Sequence, residues 1–292
     1  MTDAVRLLAA LRDLELVSRR VLDGIGFGVH PSRTAGEGVE FSQFRSYQPG
    51  DDPRRVDWKL FARSERYFVR EAERDTSVAV RLAVDASESM GYEEDGVSLL
   101  AAARVVAGAI ALLAGRQGDA VGLYPLSDRP DVPAVPASRD RRQAARVLAA
   151  LERLRPAGAL PERAVLESQL FEGRRGITVF ISDLHERADE LHGAAVRLSD
   201  LEHDVTVVHL VGARERDFAY AGAVTFEELE TGRTVRVDAE EVRPRYLAQR
   251  DAAWRSLERD FTAHGVSFTR LALDQPLDEV LRCYFRLRAR RG

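Results

Sequence analysis

A regular rhythm runs through the sequence from residue 77 to residue 273. Short, almost wholly apolar runs alternate with longer stretches of helical periodicity. The runs are 78–84, 120–126, 176–182, 205–211 and 266–273. Between them, 98–115 reads as a nearly all-apolar helix and 139–154 as an amphipathic one, with further helices over 162–171, 187–201 and 243–264. Apolar runs without alternation belong in strands covered on both faces. Strand–helix alternation requires parallel pairing through right-handed crossovers. The expected fold is therefore α/β, a doubly wound, mostly parallel sheet of Rossmann type. Residues 224–237 break the rhythm: two strand-like runs flank Thr231-Gly232, which predicts a hairpin on the sheet's edge. Residues 276–290 predict a terminal helix whose basic end suits its dipole.

Upstream the text differs. Val5, Leu8, Leu11, Leu14 (or Leu16) and Val17 recur near a helical period, so 3–22 predicts a helix. Gly24, Gly26, Gly28, Pro31 and Gly36 then mark a loop. A phosphate cradle is a weak reading of those glycines, because no strand precedes them and no GK[ST] follows. Residues 36–75 are dense in aromatics (Phe41, Phe44, Tyr47, Trp58, Phe61, Tyr67 and Phe68) interleaved with charges and a Pro-Gly-Asp-Asp-Pro turn at 49–53. They predict irregular structure with short strands, packed on a neighbouring domain through the aromatics. The chain thus reads as an N-terminal helix plus aromatic segment over 1–75 and an α/β domain over 76–292.

Composition narrows the function classes. A net charge of −4 argues against a dedicated nucleic-acid binder. Lys59 is the sole lysine, but the arginines are spread along the whole chain, as a coding bias produces, rather than gathered for phosphate recognition. Cys283 is the one cysteine, so neither an internal disulfide nor a cysteine zinc cage is available, and it reads as a packed thiol. No apolar run approaches the ~20 residues of a membrane-spanning helix. Asp3, Arg6, Arg12, Asp13 and Glu15 interrupt any signal-peptide pattern, so a cytoplasmic place is expected.

In open parallel sheets, ligands gather beyond the carboxyl ends of the strands, at the switch point. Asp85 ends one run, in Asp85-Ala86-Ser87-Glu88-Ser89, and Asp183 follows another, in Ser182-Asp183-Leu184. A hard cation such as Mg²⁺ takes about six oxygens at about 2.0–2.1 Å and keeps several as water. One carboxylate and two hydroxyls on alternate residues of a tight loop can present three oxygens to one point. The hydroxyls add no charge, so the ion stays able to capture a partner's carboxylate. Asp183 would contact the ion directly or through water. The bland alternative is a strand-end aspartate capping the next helix, with serines as loop hydrogen-bonders.

Residues 77–92 and 176–184 resemble the von Willebrand factor A domain. The preceding block is more distinctive: Gly36-Glu37-Gly38-Val39-Glu40-Phe41, Arg45-Ser46-Tyr47, Gly50-Asp51-Asp52-Pro53-Arg54, Val56-Asp57-Trp58 and Ala62-Arg63. It resembles the signature of the bacterial proteins called domain of unknown function 58, and the likeness covers roughly 20–210. The resemblance implies a non-enzymatic interaction module with a metal-ion-dependent adhesion site at Asp85, Ser87, Ser89 and Asp183. It implies Mg²⁺ or Mn²⁺ as the ion and a MoxR-type AAA+ ATPase as the partner. Many relatives carry N-terminal membrane helices, and this chain looks like a short soluble form. One departure matters: A domains supply a Thr to the ion from a third loop, where 155–160 here places Ala159 or Leu160. That departure weakens the site.

Asp51, Asp52, Arg54, Asp57 and Arg63 read either as an ion-pair lattice that docks the signature segment or as a partner-facing surface. Trp58 and Phe61 read as core anchors. His185-Glu186, with Asp189 and His192, invites a metallohydrolase reading, yet the two histidines are seven apart rather than the i, i+4 clamp of a zinc helix. The remaining histidines read as solvated or capping. Ser87 and Ser89 have no evident His partner, and no Gly-x-Ser-x-Gly elbow occurs. Two classes stay open: the binding module, and a divalent-metal-dependent hydrolase assisted by carboxylates of the 51–57 block.

Overall fold

The computed structural model describes residues 14–24, 41–47, 56, 58–64, 66–72, 78–171, 175–186, 188–227, 232–275, 280–282, 284 and 286. The chain divides into two compact units, 30–77 and the remainder. In chain order the elements begin with α1 (Leu14–Gly24), β1 (Phe41–Ser46), α2 (Trp58–Ser64), β2 (Phe68–Ala72) and β3 (Ala79–Asp85). A 3-10 turn (Glu88–Gly91) follows, then β4 (Glu93–Glu94), β5 (Val97–Ser98), α3 (Leu99–Arg116), β6 (Ala120–Leu126) and β7 (Val135–Ser138). Next come α4 (Gln143–Arg153), α5 (Arg163–Leu170), β8 (Ile177–Ser182), α6 (Glu190–Asp200) and β9 (Asp204–Val211). The chain closes with α7 (Ala213–Asp217), β10 (Ala223–Glu227), β11 (Thr234–Asp238), α8 (Ala239–Ala263) and β12 (Ser267–Ala272).

In the smaller unit β1 pairs antiparallel with β2, the short strands expected there. Helix α2 was not expected, because fewer than two turns leave no readable period. Phe61 stacks on Tyr67 with ring centroids 4.5 Å apart, and Trp58 meets both edge-on. Trp58 is 60% exposed, so it is no core anchor: it closes the outside of that aromatic group. Asp51, Asp52, Arg54 and Asp57 lie outside the described residues, as do the glycine-rich loop and most of the terminal helix.

In the larger unit six strands form one sheet in the order β12-β9-β8-β3-β6-β7. All neighbours are parallel except β7, which runs antiparallel to β6. From β3 the chain steps to β6 across one face. From β8 it steps outward through β9 to β12 across the other. The order therefore reverses between β3 and β8, and the carboxyl ends there form the switch point. Strand β7 and the later start of α4 were not expected. Gly122 permits that edge, since a Cβ there would lie 2.6 Å from the Ala137 backbone nitrogen. The Gln143 amide then ties the edge, donating to Val121 O at 3.0 Å and Pro136 O at 2.8 Å.

Helix α3 is the spine of the first core layer. Ser98 caps its start, accepting from Ala101 N, and thirteen of its eighteen residues are buried. By length and composition it is the one described helix able to cross a membrane, but most of it is buried inside this fold. Leu82, Val84, Val121, Val179 and Ile181 meet α3, with Leu148 and Leu151 of α4 in the same cluster. Leu14 and Val17 of α1 join it as well, because Gly108 lets Ser18 approach α3 closely. The N-terminal helix therefore packs with the α/β unit, not with the aromatic segment as the sequence grouping had it. The opposite face buries Ala83, Phe180 and Val207 under Leu166, Leu191, Leu198 and Phe261 of α5, α6 and α8.

The hairpin is real, but its place differs from the expectation. β10 and β11 pair only with each other, while β12 and β7 hold the sheet's edges. Aromatic packing explains this: Phe226 of β10 lies against Phe218 and Tyr220, and Tyr246 of α8 against Phe218.

Candidate metal centre

Asp85, Ser87, Ser89 and Asp183 come together at the carboxyl ends of β3 and β8. Asp85 is fully buried. Its Oδ1 accepts from Ser87 N at 2.9 Å, and its Oδ2 accepts from the Ser182 hydroxyl at 2.5 Å. Those two donors fix the carboxylate plane. The Ser87 and Ser89 hydroxyl oxygens lie 3.0 Å apart, and Ser89 also hydrogen-bonds Asp183. Asp183 is itself buried. Its Oδ1 accepts from His185 N at 3.1 Å, and its Oδ2 lies 3.1 Å from His185 Nδ1.

The electrostatics follow from burial. Asp85 is pushed up to about 7, first by loss of water and then by the charge of Asp183. Burial acts against the charge of Asp183 too, but hydrogen bonds and the charge of His185 outweigh it and hold this carboxyl below its usual value. His185 in turn is raised to about 9 by its hydrogen bond with Asp183. One carboxylate therefore has an internal counter-charge, and the other has only neutral donors.

The 155–160 loop lies against the serine loop. Ala157 N donates to Ala86 O at 2.8 Å and Glu88 N to Gly158 O at 2.9 Å, so the loop is stitched to the serine loop. The side chain of Asp128 holds Ala159 N at 3.0 Å, and Gly158 takes a φ of +69° to let Asp128 in. Both residues that can stand at the expected Thr position, Ala159 and Leu160, are buried and carry no hydroxyl. The oxygen donors present are thus two carboxylates and two hydroxyls. That hard, compact set fits a small divalent cation with its remaining positions left to water.

Two residues of this neighbourhood escaped the sequence reading. Ser182, which locks Asp85, had a signal in its place beside Asp183. Glu94, described below, had none. The histidines also need correction: His209 is buried, wedged against Trp254 and Phe268, and pushed down to about 3 by burial and by Arg270. His192 pairs with Asp189 and Asp260 across α6 and α8. Among the described residues no three His, Cys, Asp or Glu side chains gather as a metal-binding group. Trp58 and Arg63 lie on α2 of the smaller unit.

The chain is thus an α/β protein with a doubly wound, largely parallel sheet and an Asp-x-Ser-x-Ser loop at its switch point. The profile of the family described as "Protein of unknown function DUF58" matches residues 43–255, and this chain belongs to that family. It is 31% identical over 234 residues to the Uncharacterized protein Mb1516 of Mycobacterium bovis and to the Uncharacterized protein Rv1480 of Mycobacterium tuberculosis. Those alignments span 79% of this chain and 73% of each relative. Among solved structures, an aerotolerance-related membrane protein from Bacteroides fragilis superposes with a TM-score of 0.49 at 17% identity. The conserved hypothetical protein BatB from Bacteroides thetaiotaomicron gives 0.49 at 14%. Both superpositions cover 73% of this chain and all of the other.

Proposed function

We propose that this protein is a binding module that takes Mg²⁺ or Mn²⁺ at Asp85, Ser87, Ser89 and Asp183 and, through the ion, an acidic group of a partner protein. The observation that carries the reading is the pair of buried carboxylates beside two convergent hydroxyls, with Asp85 hydrogen-bonded only by neutral donors among the described residues. Burying such charge is costly unless a cation joins it. With Ala159 in the third loop, the protein would contribute fewer oxygens and water more. The partner implied by the family resemblance is a MoxR-type AAA+ ATPase, which would meet the module in the cytoplasm. The alternative is a divalent-metal-dependent hydrolase whose ion activates water with help from carboxylates of the 51–57 block. Asp51, Asp52 and Asp57 lie outside the described residues, and turnover of a phosphoester by wild type in Mg²⁺ or Mn²⁺ would favour it.

The test is isothermal titration of Mg²⁺ and Mn²⁺ into wild type and Asp85→Ala, followed by capture of the ATPase with and without EDTA. Saturable binding lost in the variant, with metal-dependent capture, supports the reading. Absence of binding to the folded wild type overturns it.

A further inference from the structure

Just beyond the candidate ligands, the chain makes a short β4–β5 hairpin whose buried carboxylate, Glu94, spends every bond on one task. Glu94 is 7% exposed. Its Oε2 accepts from Ala213 N at 2.7 Å, and its Oε1 accepts from Arg214 N at 2.8 Å and from the Tyr92 hydroxyl at 2.8 Å. The two backbone donors are the first N–H groups of α7, more than a hundred residues away. The approach is close enough to require glycine next door: a Cβ on Gly212 would lie 2.7 Å from the Tyr92 ring and 2.9 Å from Glu94 Oε1. The hairpin turn uses Asp95 and Gly96 in left-handed conformation (φ +50° and +80°), and Asp95 faces Arg214 at 3.6 Å.

Both ends of this tie lead somewhere. On one side, Tyr92 N donates to Ser89 O at 2.9 Å, so the tie is rooted in the serine loop. On the other, Tyr92 also hydrogen-bonds Tyr220. Tyr220 packs with Phe218 and Phe226, and Gly222 N is held by the Glu240 carboxylate at the start of α8. Phe218 itself is buried in a left-handed conformation (φ +46°), which fixes the turn out of α7. A continuous set of contacts therefore runs from Ser89 to the β10–β11 ribbon.

We infer that Glu94 is a positioning residue: it fastens the loop bearing Ser87 and Ser89 to α7 and the aromatic ribbon behind it, so that ordering at either end restrains the other. Coupling of this kind is reciprocal. A metal arm of the test rests on the proposed function, and a metal-free arm does not.

The experiment is hydrogen–deuterium exchange on the full chain, comparing wild type, Glu94→Gln and the milder Tyr92→Phe. Without metal, Glu94→Gln should speed exchange on the order of tenfold both in 213–220 and in 87–92, with Tyr92→Phe intermediate and the sheet strands unchanged. Faster exchange in 213–220 alone, or a uniform increase across the sheet with a lowered Tm, overturns the coupling and leaves Glu94 a simple helix cap. With Mn²⁺ added, wild type should gain protection at both segments and Glu94→Gln only at 87–92. If wild type shows no Mn²⁺ response at all, the metal reading fails while the metal-free arm still decides the coupling.

Discussion

Replacing Asp85 by asparagine removes a buried charge while keeping its shape. The amide oxygen still accepts from Ser87 N, and the amide nitrogen can donate to Ser182 once that hydroxyl turns. In wild type the carboxyl is raised from 3.8 to about 7. At about 1.4 kcal/mol per pH unit, that corresponds to about 4 kcal/mol between the protonated and ionised forms. Between those two values the native state binds more protons than the unfolded chain, so native stability falls as pH rises through the window. Asp183 and His185 share the titration, so a difference of about 2–4 kcal/mol between variant and wild type is expected to develop from pH 4 to pH 8. Urea unfolding in EDTA across that range measures it. Asp85→Asn should match wild type near pH 4 and be the more stable protein at pH 8. Mg²⁺ at a hundred times Kd at pH 8 should then close most of that gap, because only wild type gains about 2.7 kcal/mol from the ion. A variant less stable than wild type at pH 8 without metal, or a difference that does not change with pH, refutes the buried-charge argument.

Ser182→Ala strips one donor from Asp85 and the acceptor from Leu184 N; the loss should be about 2–4 kcal/mol by urea unfolding, and larger at pH 8 than at pH 5. Equal losses at both pH values would show that the hydroxyl serves only Leu184. Gly158→Ala places a Cβ 1.9 Å from Asp128 Oδ1 at a φ of +69°, so thermal unfolding should show a loss of about 1–3 kcal/mol. An unchanged Tm would mean that the third loop is not held as described. Gly122→Val drives a side chain into Ala137 and Val135 of β7. Limited proteolysis should then cut within 127–142 while the parallel strands stay protected, and an uncut segment would count against that edge pairing.

Much of the architecture was legible because the signals are local. Five apolar runs became β3, β6, β8, β9 and β12 with ends within a residue or two of their expected places. The Asp-x-Ser-x-Ser loop was readable because alternate residues of one turn share a point whatever surrounds them. Elements without a period were not readable: α2 is under two turns, and β7 is a four-residue edge strand with a proline in it and no fully buried side chain. Trp58 misled because aromatic content implies burial only on average.

Local sequence was enough for the five apolar strands of the sheet, the nearly all-apolar helix and the residues at the strand ends, since periodicity and apolar content are properties of neighbouring residues. Only the tertiary structure decided that β8 lies beside β3, which brings Ser182 onto Asp85 across 97 positions. It alone packed α1 on α3, set Ala159 beside the serine loop, and closed Glu94 over α7. Those are choices among distant surfaces of similar chemistry, settled by how volumes and buried polar groups fit together, and no window of sequence contains both sides of the fit.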